Sequence, residues 1–155
     1  MTDIPQVGQN ASNFVVQDQN GNTVSLKDYQ GHWLVLYFCP KDNTPGCTTE
    51  AKDFTTKIEK FNELEADILE VSPDSAKLHC KFIDKQELSL RLLSDPEHDV
   101  IEAYGAWRLK KYMGVVRSTF LISPERQIFR VWDKVRVRSR IENVLAELKC
   151  QLIKK

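Results

Sequence analysis

The segment HWLVLYFCPKDNTPGCTTEAKDF, residues 32–54, decides the fold. Residues 33–39 are apolar at every position, which is typical of a strand covered on both faces of a sheet. Two prolines and a glycine then interrupt the chain before Cys47. Beyond Cys47, apolar residues recur at helical spacing, at Ala51, Phe54, Ile58 and Phe61. The segment therefore predicts a central strand that turns at Cys47 into an amphipathic helix.

Further strands and helices are predicted on both sides of this segment. Residues 14–17 and 23–26 flank DQNGN, which contains the Asn-Gly signal of a β-hairpin. ADILEVS follows the helix and indicates the next strand. Asp74 is then expected to cap a second helix that runs through Glu87.

The carboxyl-terminal half continues the alternation. It is expected to contain a strand at 90–95, a short helix at 97–105, two strands at 117–123 and 128–135 joined by the turn 124–127, and a last amphipathic helix from about Ser139. This order predicts an α/β fold with a mixed central β-sheet flanked by helices and an N-terminal β-hairpin. We find no repeat or linker, so residues 1–155 are expected to form a single domain.

Composition and charge exclude several classes of function. The chain has 155 residues, is 41% hydrophobic, and carries 22 basic and 22 acidic side chains, so its formal net charge is zero. That balance favours neither nucleic acid nor an anionic membrane as a partner. Neither a leader peptide nor an apolar stretch long enough to span a bilayer is evident in the sequence. A cytoplasmic protein is therefore expected.

Four cysteines, Cys39, Cys47, Cys80 and Cys150, are scattered along the chain without any C-x-x-C pair. Structural zinc sites usually show such pairs, and secreted disulfide scaffolds are shorter and denser in cysteine. The spacing therefore indicates reduced thiols, with any disulfide being transient and functional.

Cys47 is placed where a thiol becomes reactive. At the first turn of a helix, the unpaired N–H groups and the helix dipole stabilise a thiolate. Helical spacing aligns Cys47 with Ala51 and Phe54, so the sulfur is expected to lie in a pocket. Thr44, three residues earlier, can hydrogen-bond the group that the sulfur attacks, and the alternative is an inert buried cysteine.

The pattern Pro40-x-x-x-Thr44-x-x-Cys47 resembles the active-site signature of the peroxiredoxins, which are thiol peroxidases with a thioredoxin-like fold. The wording YFCPKDNTPGCTTE resembles the bacterioferritin comigratory protein branch, also called peroxiredoxin Q. The resemblance continues through EVSPDSAKLHCKF, LLSDPEHDVIEAYGAW and VWDKVRV, in the order found in the family. It therefore covers nearly the whole chain.

The resemblance implies roles for four residues. Cys47 would be the peroxidatic thiolate, which attacks the terminal oxygen of a hydroperoxide and becomes a sulfenate. Thr44 would hold the peroxide, Pro40 would shield the sulfenate from water, and Arg117 would stabilise the developing negative charge. No metal or organic cofactor is implied, because the thiol itself carries the electrons.

The resemblance leaves the resolving step less defined. Many members of the branch place a resolving cysteine five residues after the peroxidatic one, where this chain has Lys52. Others carry it in the next helix, which here contains Cys80, about one turn before the family position at Ile83. Cys80 is therefore expected to form an intramolecular disulfide with Cys47 after local unwinding, and thioredoxin or a similar dithiol protein would reduce it. Cys39 is expected to fill the core, and Cys150 to be exposed.

Alternatives remain at this point. A one-cysteine peroxidase would use an external thiol in place of Cys80, and a redox sensor would use Cys47 without turnover. A disulfide reductase is disfavoured, because Thr44 occupies the position of the second cysteine in C-x-x-C. Members of the branch are often monomeric, which suggests a monomer here.

Overall fold

The computed structural model describes residues 5–40, 45–107, 118–133 and 144–150. The strands within this part are β1 (Val15–Asp18), β2 (Thr23–Ser25), β3 (Trp33–Phe38), β4 (Ala66–Ser72), β5 (Arg91–Ser94), β6 (Ser118–Ile122) and β7 (Ile128–Asp133). The helices are α1 (Pro45–Thr56), α2 (Ile58–Glu63), α3 (Ala76–Gln86) and α4 (Asp99–Ala103), with a 3-10 helix at Leu26–Tyr29, and residues 144–150 are also helical.

The strands form one mixed sheet in the order β2-β1-β5-β4-β3-β6-β7. β3, β4 and β5 run parallel, and the two hairpins, β1-β2 and β6-β7, add antiparallel strands at the two edges. β3 therefore has a hydrogen-bonded strand on each side, as its continuous apolar sequence predicts. The predicted α/β architecture, with its mixed central sheet and N-terminal hairpin, is confirmed.

β3 contributes to both faces of the sheet because successive side chains of a strand point to opposite sides. Trp33, Val35, Tyr37 and Cys39 belong to one buried cluster, and Leu34, Leu36 and Phe38 belong to the other. The first cluster also contains Cys47, together with residues of α1, α2, α3 and the helix at 144–150. We call this side of the sheet the Cys47 face.

Three details differ from the sequence-based expectations. The helix after Cys47 is interrupted at Lys57, so the apolar stripe is divided between α1 and α2. The cap of α3 is Ser75 rather than Asp74, because the Ser75 hydroxyl accepts a hydrogen bond from the Leu78 N–H at 3.2 Å. Asp74 instead interacts with the Ser72 side chain.

The buried face of α3 differs from the one that its sequence predicts. On a helical wheel Leu78, Phe82, Ile83 and Ala76 form an apolar arc, but the Leu78 side chain is 46% exposed. His79 is fully buried instead, and its Nε2 lies 3.0 Å from the carbonyl oxygen of Leu93 in β5. A buried polar ring is tolerated when it is hydrogen-bonded, so periodicity of apolar residues alone gave the wrong face at Leu78.

Thr44, Arg117, the basic run at 134–140 and the expected helix start at Ser139 lie outside the described residues. Within the described part, none of the helices combines the length and the apolar character that crossing a bilayer requires.

Candidate active site

Cys47 lies at the amino-terminal end of α1, beyond the carboxyl end of β3. α1 begins at Pro45, so Cys47 is its third residue, and proline is well suited to a first helical position because the N–H that it lacks would have no partner within the helix. Cys47, Ala51 and Phe54 are all fully buried, as the helical spacing predicts. The sulfur is therefore held inside the molecule, close to a helix end whose N–H groups favour an anion.

A second thiol lies against Cys47. Cys39 follows the last residue of β3, and its N–H donates to the carbonyl of Val71 in β4 at 3.0 Å, so the backbone here continues the sheet. The Cys39 side chain is fully buried in the same cluster as Cys47, and the Cys47 side chain is among the groups that raise the pKa of Cys39. Cys39 fills the core, as expected, and it also lies next to Cys47, the candidate nucleophile.

Two buried carboxyl groups lie near the pair of thiols. Glu50 is three residues after Cys47 in α1, and Glu70 is in β4; both side chains are fully buried. Glu70 Oε1 accepts a hydrogen bond of 2.9 Å from the hydroxyl of Tyr37 in β3. The site therefore combines two sulfurs, two carboxyls and a phenol within the apolar Cys47 face.

Burial raises the pKa values of the Cys39 thiol and the Tyr37 hydroxyl. Desolvation raises the pKa of Cys39 well above its usual value, and the hydrogen bond with Cys47 and the charges of Glu70 and Glu50 add to the effect. Desolvation also raises the pKa of Tyr37, followed by the charges of Glu70, Cys39 and Glu50. Cys39 and Tyr37 therefore stay protonated at neutral pH and act as hydrogen-bond donors.

Cys80 occupies a different environment. Its side chain is half-buried on α3, and its thiol donates to the carbonyl oxygen of Gln19, 2.9 Å away in the β1-β2 turn. In this conformation the thiol bonds to the hairpin rather than to the Cys47 site.

The structure brings together only some of the expected site residues. Cys47 is at the helix start, and Pro40 is half-buried directly after Cys39. Cys150 is exposed, as expected. The proposed contributions of Thr44 and Arg117 fall outside the described residues.

Several residues of the site were not identified from the sequence. Glu50 could have been found from its spacing of three residues after Cys47, which places both on one side of a helix. Glu70 could have been found as the charged residue in the otherwise apolar stretch ILEV. The contact between Cys39 and Cys47 joins a strand end to a helix start across a loop, and no local pattern reveals it.

Comparison with protein families and with known proteins identifies relatives that match most of this chain. The family model of AhpC/TSA matches residues 7–131. Peroxiredoxin Bcp of Bacillus subtilis is 48% identical over 149 residues, which cover 93% of this chain and 95% of the relative. Peroxiredoxin Bcp of Xanthomonas campestris is 43% identical, with 83% of this chain and 84% of the relative covered.

Solved structures show the same architecture. The bacterioferritin comigratory protein of Xanthomonas campestris, studied for its alkyl peroxide reduction activity, aligns with a TM-score of 0.85 at 40% identity. That alignment covers 89% of this chain and 91% of the other. A cysteine-to-serine mutant of Xylella fastidiosa PrxQ aligns with a TM-score of 0.92 at 35% identity, covering 97% and 99% of the two chains.

Proposed function

This chain belongs to the AhpC/TSA family and is a thiol peroxidase of the Bcp/PrxQ peroxiredoxins, and on this premise we propose that Cys47 is its peroxidatic residue. The observation that carries the proposal is the position of the Cys47 sulfur, which is buried at the amino-terminal end of α1 beyond the carboxyl end of a central strand. A thiolate is stabilised at such a position, and the thiolate is the nucleophilic form of cysteine.

In the proposed reaction the Cys47 thiolate attacks the terminal oxygen of a hydroperoxide. The O–O bond breaks, the hydroperoxide proton leaves on the second oxygen as water or an alcohol, and Cys47 becomes a sulfenate, which takes up a proton from solvent to give the sulfenic acid. Thr44 donates its hydroxyl hydrogen to the peroxide, and Pro40 shields the product from water. Arg117 stabilises the charge that develops on the leaving oxygen, as a fixed guanidinium near a reacting atom does. The position of Arg117 in the sequence supports this role. Arg117 precedes β6, in which Thr119 pairs with Tyr37 near the end of β3, and the segment containing Cys47 follows β3.

The proposed second step is resolution by Cys80. Its thiol attacks the Cys47 sulfenic acid, an S–S bond forms, and water leaves. Thioredoxin or a similar dithiol protein then reduces the disulfide by thiol–disulfide exchange. The half-buried position of Cys80 supports such a role, because the thiol can be reached without opening the core. Its bond to Gln19 implies that α3 or the hairpin moves first.

The substrate class and setting are also proposed. The alkyl peroxide reduction activity studied in the Xanthomonas campestris relative supports organic hydroperoxides as substrates beside hydrogen peroxide. A reducing compartment such as the cytoplasm suits the four free cysteines, and we propose that the chain works there as a monomer of one domain.

The test is peroxide consumption measured with thioredoxin, thioredoxin reductase and NADPH. We expect Cys47→Ser to abolish turnover. We expect Cys80→Ser to lose most of its turnover with thioredoxin as reductant. Cys150→Ser is the matched control, because Cys150 is an exposed thiol, and it should retain the wild-type rate.

Each outcome selects a mechanism. Full activity of Cys47→Ser would contradict the assignment of the nucleophile. Turnover of Cys80→Ser at the wild-type rate would contradict the resolving role of Cys80 and indicate resolution by another thiol, as in a one-cysteine peroxidase.

A further inference from the structure

The second cysteine in contact with Cys47 is Cys39, not Cys80. The two side chains are both fully buried in one cluster on the Cys47 face, and Cys47 is among the groups that act on the Cys39 thiol. Cys80 directs its thiol to the Gln19 carbonyl in the β1-β2 turn. While α1 keeps its first turn, Cys39 is therefore the thiol positioned to meet an oxidised Cys47.

We propose that Cys39 is a second resolving residue, which captures the Cys47 sulfenic acid in a Cys39–Cys47 disulfide while α1 remains folded. This rests on the proposed function, because Cys47 must first be oxidised by a hydroperoxide. It assigns Cys39 a covalent role in addition to packing, and it gives the site a way to avoid over-oxidation when Cys80 does not engage.

The step is balanced without a further reactant. The Cys39 sulfur attacks the sulfur of Cys47–SOH, the S–O bond breaks, and the S–S bond forms. The thiol proton of Cys39 leaves with the hydroxyl group as water. Cys39 is oxidised from thiol to disulfide and the sulfenic sulfur is reduced to disulfide. An external dithiol protein, the reductant class proposed above, returns both thiols.

Closing the disulfide brings the two sulfurs to about 2.05 Å. The backbone of Cys39 is fixed by its hydrogen bond to Val71, so side-chain rotation and the first turn of α1 supply the movement. Bonding to Cys80, in contrast, requires the Cys80–Gln19 contact to break.

The test is non-reducing peptide mapping of Cys80→Ser after one equivalent of hydrogen peroxide. Free thiols are blocked with N-ethylmaleimide in acid before digestion, so that disulfides do not exchange. Trypsin cleaves after Lys41, which places Cys39 in peptide 28–41 and Cys47 in peptide 42–52. We expect these two peptides to be crosslinked. A sulfenic or sulfinic acid on Cys47 with Cys39 blocked by maleimide would overturn the proposal and leave the peroxidase intact.

Two further variants separate chemistry from packing. Cys39→Ser in the Cys80→Ser background keeps a hydrogen-bond donor but cannot form a disulfide, and Cys39→Val keeps an apolar side chain. With excess peroxide, both should accumulate Cys47 sulfinic acid at least about tenfold faster than Cys80→Ser, because intramolecular capture no longer competes. If the Cys39 variants are folded, as checked by circular dichroism, and accumulate sulfinic acid at the same rate as Cys80→Ser, the proposal is also overturned. If wild-type protein did not consume peroxide, that result would instead refute the proposed function itself.

Discussion

The Cys80 thiol donates a hydrogen bond to the main-chain carbonyl of Gln19 at 2.9 Å, which ties α3 to the turn of the N-terminal hairpin. That turn is itself well ordered, because Asp18 Oδ1 accepts hydrogen bonds from the N–H groups of Asn20 and Asn22. Asp18 Oδ2 also pairs with Arg91 Nε at 3.2 Å, which joins the hairpin to β5. Release of Cys80 toward Cys47 therefore disturbs the hairpin as well as α1.

A Cys47–Cys80 disulfide should leave a specific trace in hydrogen exchange. We expect faster exchange at residues 19–22 and in the first turn of α1 in the oxidised protein than in the reduced protein, because both lose their contacts. Mass spectrometry of peptides after exchange measures this. Oxidised Cys80→Ser is the control, because its hairpin should exchange as in the reduced state. Equal protection of both segments in wild-type protein would count against a Cys47–Cys80 bond.

Arg117→Met should slow the reaction with peroxide. Removal of a donor that stabilises transition-state charge typically lowers the rate by about 10²–10³-fold. The measurement is the second-order rate of Cys47 oxidation, followed by stopped-flow fluorescence. Arg130→Met is a matched control, because Arg130 is exposed and its Nε pairs with Glu147 Oε1 at 3.1 Å, away from the Cys47 contacts. A comparable loss in both variants would contradict a specific role for Arg117.

Tyr37→Phe should destabilise the folded protein. It removes the buried 2.9 Å hydrogen bond to Glu70 Oε1 while keeping the aromatic ring that stacks on Phe54. A buried acceptor that loses its donor typically costs about 1–3 kcal/mol. Tyr29→Phe is the control, since its hydroxyl contacts Arg91 near the surface and should matter less. Urea unfolding compares the two, and equal midpoints would show that the Glu70 contact adds no stability.

The sequence predicted those parts of the fold that depend on local pattern. The hairpin followed from the Asn-Gly turn between two short strands, and β3 followed from an uninterrupted apolar run. The placement of Cys47 at a helix start followed from the buried strand before it and from the helical spacing of Ala51 and Phe54 after it. Each of these signals lies within a few residues of the feature that it specifies.

The sequence did not predict features that depend on contacts between distant segments. His79 is buried in place of Leu78 because a carbonyl of β5 accepts its hydrogen bond, and the helix alone does not contain that partner. Cys39 meets Cys47 because the sheet directs alternate residues of β3 toward α1. The sequence therefore predicts the oxidation partner of Cys47 in the next helix, at Cys80.

The Cys39–Cys47 crosslink should form faster as pH rises. Attack requires the Cys39 thiolate, and burial, followed by the contact with Cys47 and the charges of Glu70 and Glu50, raises the pKa of Cys39. The group facing it from β3, Tyr37, stays protonated. The measurement is the crosslink yield in Cys80→Ser at fixed short times between about pH 6 and 9. A yield that is independent of pH would contradict attack by Cys39.

The folded protein should also lose stability at alkaline pH, and one cause is the ionisation of the Tyr104 phenol. Burial raises the pKa of this phenol above its usual value of 10.0, and its hydroxyl donates to the Ser12 carbonyl at 2.6 Å. Above about pH 9 the unfolded chain begins to lose this proton while the folded chain keeps it. The folded state then binds more protons than the unfolded state, so the free energy of unfolding falls as pH rises.

Tyr104→Phe should therefore be less stable than wild type at pH 7, by about 1 kcal/mol for the lost hydrogen bond. Its melting temperature should fall less between about pH 8 and 10.5, because one of the buried groups that resist ionisation is gone. Tyr29→Phe is again the control: burial raises the pKa of Tyr29 too, but Arg91 opposes the shift, so its removal should change the slope less. Parallel pH profiles for Tyr104→Phe and wild type would show that ionisation of Tyr104 does not drive alkaline unfolding.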